Sequence, residues 1–315
     1  MNCLCCGKPL KEENNTGWHK SCIKKFFGTS VLPEPDISEE TLEKLAKEST
    51  SKGLTVPGVQ KKLSLYFHSD ERKPRLTLVG YPTGYILKPQ TKEFENLPEA
   101  EHLVMCMAET TGISTVPHAL IKCNDSMAYI TKRVDRKFDA GVVKKLAMED
   151  FCQLDLRLTA EKYKGSYERC AKIISRYSSR AGFDMTELFM RLVFSFVTGN
   201  SDMHLKNFSL IEQADMDNCY VLSPAYDLLP VNVIMPEDKE EFALTMNGRN
   251  VKLRKKDFMV FAEECGIAKV SAERMIEKII SLKQKYIEMC EESLISDILK
   301  ERFAKLIEER CGILE

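Results

Sequence analysis

The run Leu188, Phe189, Leu192, Val193, Phe196 and Val197 limits the folds open to this chain more than any other stretch. Its spacing of three and four residues is helical, and a helix so apolar must be buried inside a core. Asp184, with Glu187 three residues on, predicts a capped start, and Gly199 predicts the stop. The helix then delivers a polar loop from a rigid support: Gly199-Asn200-Ser201-Asp202-Met203-His204-Leu205-Lys206-Asn207. Phe208 to Ile211 reads as a strand, Ala214 to Asn218 as a turn and Tyr220 to Leu222 as the return strand, before Ser223-Pro224-Ala225-Tyr226-Asp227. Such a hairpin is expected to bring Asn207 and Asp227 near each other at its open end.

Towards the N-terminus, strand signals dominate. Leu63, Leu65 and Phe67 alternate, Leu76 to Tyr81 predicts a second strand, and Tyr85-Ile86-Leu87-Lys88-Pro89 a third that closes on a lysine. Asn96, Pro98 and Glu99 predict a capped helix that stops at Gly112. Glu101 shares the apolar face of that helix with Val104, Met105 and Ala108. A carboxylate there requires a partner, because an unpaired buried charge is very costly. Glu99 is sufficiently explained as a cap; Glu101 is not, and Lys88 is its expected partner. Ala119 to Cys123, the turn Asn124-Asp125-Ser126, and Met127 to Val134 predict a hairpin. Gly53 to Lys62 is expected to be a loop, and Val31 to Lys52 a connector with a short helical pattern at Leu42, Leu45 and Ala46.

Phosphoryl transfer needs few protein groups: an acid facing the acceptor hydroxyl, metal ligands at the phosphates, and cations on the developing charge. Asp202, an Asn five residues later, a hairpin and a second Asp can provide them, with Asn207 and Asp227 as hard oxygen donors for magnesium. Each member alone has an ordinary reading: Asp202 as loop chemistry, His204 as a packed histidine, Lys88 as a strand terminus. Their order along the chain, with Glu101 behind Lys88, is what makes the set specific.

Several linked motifs resemble the HipA family of bacterial serine/threonine kinases, the toxins of toxin–antitoxin modules. They are Thr55-Val-Pro-Gly-Val-Gln-Lys-Lys-Leu-Ser, Tyr-Ile-Leu-Lys88-Pro, Thr-Lys-Arg-Val-Asp-Arg136, Met-Glu-Asp-Phe-Cys-Gln153, Gly-Asn-Ser-Asp202-Met-His-Leu-Lys-Asn207-Phe-Ser and Leu-Ser-Pro-Ala-Tyr-Asp227. The resemblance implies that Asp202 is the catalytic base, that Asn207 and Asp227 bind magnesium, and that Lys88 binds ATP phosphates. It further implies that Lys132, Arg133 and Val134 form the hinge beside adenine, and that His204, Lys206 and Tyr226 line the nucleotide site. The loop holding Gly58, Val59, Gln60, Lys61 and Lys62 would cover the phosphates, with backbone N–H groups as donors in the absence of a Gly-x-Gly-x-x-Gly run. Thr55 stands where the family carries a regulatory, autophosphorylated serine, while Pro57 occupies the place of a second serine found in some relatives. The implied fold class is α+β, two-lobed and protein-kinase-like: a small mixed N-lobe over residues 31–135 and a mainly helical C-lobe over 136–315. Met275, Ile279, Leu282 and Tyr286, then Ile295, Leu299, Phe303 and Leu306, supply the helical core pattern at the C-terminal end.

The first fifty residues depart from the family's longer members, because they are too few for the extra N-terminal domain those members carry, and residues 1–30 form a cysteine-rich module instead. The chain is similar instead to the shorter HipT type, in which that domain is a separate small protein beside a helix-turn-helix antitoxin. In its place stand Cys3-x-x-Cys6 and His19-x-x-Cys22, two pairs of soft ligands with the spacing of a zinc knuckle. Two readings stay open: a structural zinc site, or a reduced and merely flexible terminus. The opening Met-Asn-Cys-Leu-Cys-Cys has no basic n-region or apolar h-region, so the twelve cysteines are expected to be reduced and the protein cytoplasmic.

Forty-six basic against 47 acidic residues leave a net charge of −1, which argues against direct binding to DNA; contact with DNA would come through the antitoxin. No apolar stretch is long enough for a membrane. The expected acceptor is a protein, with aminoacyl-tRNA synthetases implied by the resemblance. Two rivals are a phosphoinositide-type lipid kinase, disfavoured by the lack of a basic membrane-facing stretch, and a non-catalytic nucleotide-binding regulator of a DNA-binding partner.

Overall fold

Leu63 and Leu65 are buried while Ser64 between them is exposed, the two-residue period of a strand covered on one face. In the computed structural model, which describes residues 2–11, 14–37, 62–68, 74–78, 83–139, 142–214, 216 and 218–315, this strand belongs to a six-stranded sheet. Its strands are β1 (Glu34–Asp36), β2 (Leu63–His68), β3 (Arg75–Thr77), β4 (Tyr85–Pro89), β5 (His118–Cys123) and β6 (Ser126–Lys132), in the order β1-β3-β2-β4-β6-β5. All neighbours are antiparallel except β1 and β3. Asn124 and Asp125 make the two-residue turn between β5 and β6, where Cys123 faces Ser126. Thr55, Gly58, Val59, Gln60, Lys61 and the pattern Leu42, Leu45, Ala46 lie outside the described residues, as do 79–81 of the expected second strand. Lys62 is described and exposed.

The expected connector from Val31 to Lys52 needs correction, because Glu34-Pro35-Asp36 inside it is strand β1. Two acids around a proline give no apolar alternation to read. An edge strand tolerates Pro, since it needs no ladder N–H on its outer side. Asp36 is also tied to Arg75 of β3 by a 3.3 Å ion pair.

The chain forms two compact units, Met1–His102 with Val116–Val134, and Leu103–Thr115 with Asp135–Glu315. In the first, helix α1 (Lys20–Phe27) buries Ile23, Phe26 and Phe27 in one cluster with Trp18, Leu65, Leu87, Ala119 and Ile121. Each such apolar side chain contributes roughly 1.5–3 kcal/mol when fully buried. The cysteine segment is therefore part of the core of this unit. Helix α2 (Leu97–Thr111) starts after Asn96 and stops at Gly112.

The second unit is mainly helical. Helices α3 (Phe151–Leu154), α4 (Tyr167–Tyr177), α5 (Ala181–Thr198), α6 (Val231–Ile234), α7 (Lys255–Glu264), α8 (Lys269–Ser281), α9 (Lys283–Glu291) and α10 (Asp297–Leu314) accompany five strands. A two-stranded ribbon pairs β7 (Arg136–Asp139) with β8 (Val142–Lys145). A small sheet has the order β11 (Tyr220–Leu222), β10 (Ser209–Glu212), β9 (Met148–Asp150). Buried positions at Ala272, Ile276, Ile279, Tyr286, Leu299, Phe303 and Ile307 place the C-terminal helices in the core. Among the described residues, no helix is long and apolar enough to cross a membrane.

Helix α5 holds the apolar run, with Leu188, Phe189, Leu192, Val193, Phe196 and Val197 all fully buried. Its start differs from expectation: Arg180 is the N-cap and Asp184 lies within the first turn. Asp184 is buried because its carboxylate has other work. It accepts from Ser178 Oγ at 2.6 Å, from Arg180 Nε at 2.9 Å and from the Leu222 N–H at 2.7 Å. Position in the first turn still suits its charge, which faces the positive end of the helix dipole.

Candidate active site

The polar loop begins at Gly199, the αL C-cap of α5 at φ +67°. A side chain here would be strained by the positive φ and would also collide with Leu306 Cδ2 of α10, so only glycine fits. Beyond it the loop is fastened at short intervals. The Asn232 N–H donates to Gly199 O at 3.0 Å, Ser201 Oγ to Asp238 at 2.7 Å, and Tyr167 Oη to Met203 O at 3.0 Å. A 3-10 turn over Leu205–Asn207 then leads into β10.

Within this frame Asn207 is buried, and its Nδ2 donates to the Asp202 carbonyl at 2.8 Å. That bond sets the amide so that Oδ1 is the end directed elsewhere. The Asp202 side chain stays 29% exposed. One of its oxygens, Oδ1, accepts from Tyr163 Oη at 2.8 Å, and the other lies 4.0 Å from His204 Nε2. Tyr163 packs edge-on against the His204 ring at 5.1 Å. Burial first, and then the Asp202 charge, push the Tyr163 phenol well above its usual range, so it stays a donor.

Asp227 is half-buried and adopts φ +56°, a left-handed conformation that Asp tolerates better than most residues. Its neighbour Tyr226 is bonded through Oη to Ser209 Oγ at 2.5 Å and to the Lys206 carbonyl at 3.1 Å. The residue before Asp227 is thus fixed to residues on either side of Asn207. Burial holds the Tyr226 phenol well above its usual range. Lys206 makes a 2.6 Å ion pair with Asp150, which also caps α3 in a capping box with Gln153.

In the first unit Lys88 lies next to the end of β4 and Glu101 lies in α2; they form a direct ion pair at 3% and 1% exposure. The Lys88 ammonium also sits 5.2 Å from the Tyr129 ring centre. Tyr129 stacks on His118, and His118 Nδ1 is 3.0 Å from His102 Nδ1. Burial, with His118 facing it, keeps His102 well below the usual imidazole range, so it is neutral. Lys132 closes β6, where burial lowers its pKa; the next residue, Arg133, donates its N–H to the Gly84 carbonyl at 2.9 Å. Val134 is half-buried.

Three residues that shape these features, Arg191, Asp150 and Tyr163, have no role assigned by the sequence reading. Arg191 is 1% exposed and bridges Glu187 at 3.0 Å to the Ser223 carbonyl at 2.7 Å, while Asp184 takes the Leu222 N–H. Two charges of α5 thus anchor the strand that leads to Asp227. Burial pulls the Arg191 guanidinium below its usual value, and Glu187 opposes that shift. The signal was present, since Arg191 interrupts an apolar face as Glu101 does. Asp150 and Tyr163 carry no comparable signal, because the fold alone brings them to Lys206 and Asp202.

Magnesium takes hard oxygen donors. The Asn207 amide, oriented by its Nδ2 bond, and the Asp227 carboxylate are of that class, so this donor set suits the ion.

Residues 54–286 match the family described as HipA-like C-terminal domain. The protein named "Putative kinase Y4mE" from Sinorhizobium fredii is 31% identical over 235 residues, 72% of this chain and 54% of its own length. A second from that organism, "Putative kinase Y4dM", is 33% identical over 187 residues, 56% of this chain and 44% of its own length. The chain therefore spans about half the length of these two relatives. A Haemophilus influenzae protein named "Putative kinase" is 26% identical over 340 residues, 98% of this chain and 95% of its own. Among solved structures, Shewanella oneidensis HipA, in complex with HipB and operator DNA, is similar with a TM-score of 0.70 at 19% identity, covering 82% of this chain and 64% of that one. The Helicobacter pylori proinflammatory kinase CtkA gives 0.53 at 15% identity, covering 74% and 86%. These likenesses show a kinase-like α+β fold of the HipA kind. With the match running through the greater part of its length, the chain belongs to the HipA-like family.

Proposed function

We propose that this protein is an ATP-dependent serine/threonine kinase and the toxin of a bacterial toxin–antitoxin module. The observation that supports this best is the loop after α5. There a partly exposed carboxylate, Asp202, is oriented by Tyr163 and linked through its own carbonyl to Asn207. Asp202 accepts the proton of the acceptor hydroxyl as its oxygen attacks the γ-phosphorus of ATP, the bond from that phosphorus to the β–γ bridging oxygen breaks, and ADP leaves. Tyr163 donates to Oδ1 and so orients the carboxylate for that role. Lys88, held by Glu101, places its ammonium against phosphate oxygens. Magnesium, held by Asn207 and Asp227, would neutralise charge on phosphate oxygens. By the resemblance we assign Gly58, Val59, Gln60, Lys61 and Lys62 to the phosphates, Lys132, Arg133 and Val134 to the adenine, and His204, Lys206 and Tyr226 to the nucleotide site.

The partner we assign is a small helix-turn-helix antitoxin, on the strength of the likeness to a HipA solved with HipB and operator DNA. A separate small protein equivalent to the N-terminal domain of longer relatives is a second partner. The acceptor is a cytoplasmic protein of the translation machinery, with aminoacyl-tRNA synthetases first to be tried, and Thr55 is an autophosphorylation site. Purified protein with γ-labelled ATP, magnesium and host lysate tests this reading. Labelled protein bands, and phosphate on Thr55 by mass spectrometry, are expected with the parent and not with Asp202→Gln. Equal labelling by both, or label appearing only in extracted lipid, would overturn it.

A further inference from the structure

Cys3, Cys6, His19 and Cys22 have no part in phosphoryl transfer, yet the fold brings one ligand atom from each to within 4.8 Å of all the others. A tetrahedral zinc ion with thiolate and imidazole ligands sets its donor atoms about 3.5–3.8 Å apart. His19 Nδ1 lies 3.4 Å from Cys6 Sγ and 3.8 Å from Cys22 Sγ. The outer contacts match a metal site as well. His19 Nε2 meets the Pro9 carbonyl at 3.1 Å, which fixes the tautomer that leaves Nδ1 a lone pair for a metal. The His19 N–H donates to Cys3 Sγ at 3.3 Å. The turn from Cys3 to Cys6 is closed by Gly7 N–H to Cys3 O at 2.9 Å and Cys3 N–H to Lys8 O at 2.8 Å.

The ligands flank the residues that cover the sheet edge. Leu4, between Cys3 and Cys6, accepts from the Leu120 N–H at 2.7 Å, and Trp18, beside His19, donates its indole N–H to the Leu120 carbonyl at 3.1 Å. Leu120 lies in β5, the last strand of the six. Both its outward backbone groups are thus satisfied by the cysteine segment, which protects an edge that would otherwise pair with foreign strands. Gly17, at φ +68°, meets Leu4 so closely that an added Cβ would lie 2.9 Å from Leu4 Cδ1. Trp18 then lies fully buried against Phe26 and Phe27, and Tyr85 Oη donates to the Phe26 carbonyl at 3.2 Å.

We propose that Cys3, Cys6, His19 and Cys22 bind one structural zinc ion, which fastens the N-terminal segment over the edge of β5. Three thiolates and an imidazole fill the tetrahedron, so no position stays open for water or substrate, and the ion does no catalysis. Its binding free energy is folding free energy of this segment.

Full-length protein, freshly purified under reducing conditions, is assayed for metals and for cobalt(II) binding after zinc removal. The proposal expects about one zinc per chain and the intense visible absorption of a tetrahedral cobalt–thiolate centre. Cys22→Ser should drop zinc to below about a tenth per chain, whereas Cys5→Ser, outside the ligand set, should keep it. Should Cys22→Ser fail to fold, the cobalt spectrum of the parent decides alone. Fresh protein without zinc and without that absorption would overturn the proposal. So would stoichiometric iron in its place, or zinc lost equally from Cys5→Ser.

Discussion

Lys88–Glu101 and Tyr163–Asp202 are both two-member polar pairs, and they are built in opposite ways. The first is a pair of full charges closed off from solvent on a strand and a helix. The second joins a neutral donor to a carboxylate that remains partly open on a loop. A closed charge pair cannot lose a partner without stranding a charge, so its function and its stability are tied together. A half-open carboxylate can change with little consequence for folding, so its function is separable. The position we propose for the chemistry is the one the fold can do without.

The largest expected effect breaks the comparison at its open end. Asp202→Gln should cut phosphoryl transfer by about 10²- to 10⁴-fold while the thermal midpoint and ATP affinity stay near those of the parent. A matching loss of stability would mean that the loop is structural. At the closed end, Glu101→Ala should lose activity and also about 3–5 kcal/mol of stability, read as a shift in urea midpoint. An unchanged midpoint would show that Lys88 is stabilised without its carboxylate.

The histidine pair beside Lys88 gives a smaller, pH-dependent test. His102 titrates below its unfolded value of 6.5, so below that pH the unfolded chain binds the proton more readily than the folded one. Stability should therefore be complete above pH 6.5 and fall as pH drops beneath it, by at most about 1.4 kcal/mol per pH unit. His102→Gln should flatten that slope; a slope unchanged by the substitution would place its origin elsewhere. The smallest effect sharpens the open pair. Tyr163→Phe removes one hydrogen bond, worth about 0.5–1.5 kcal/mol, and should lower kcat by roughly two- to tenfold with KM for ATP unchanged. A change confined to KM would remove Tyr163 from the orientation of Asp202.

What could be read in advance follows from how local each cause is. Lys88 and Glu101 were paired in advance because a carboxylate among Val104, Met105 and Ala108 has no other stable arrangement. Arg191 breaks an apolar face in the same way and so requires a partner, but its bond to the Ser223 carbonyl, 32 residues on, follows no local pattern. Asp184 reads as a cap because capping is a common use of an acid at a helix start. Its real partners are Ser178, Arg180 and the Leu222 N–H, and the last lies 38 residues away. β1 was missed since Glu34, Pro35 and Asp36 show no period. Tyr163 and Asp150 reach the loop only through the packing of separate elements, which no local pattern encodes.

The contact between Gly199 and Leu306 has a consequence in time. Gly199 opens the loop that carries Asp202, and the side chain that fills the space behind it comes from α10, roughly a hundred residues later. At the usual pace of about 5–20 residues per second, a ribosome has Asp202 in hand for several seconds before the wall behind it exists. A nascent chain stalled in that interval should leave the loop open to protease. The finished form of the loop then waits on the synthesis of α10.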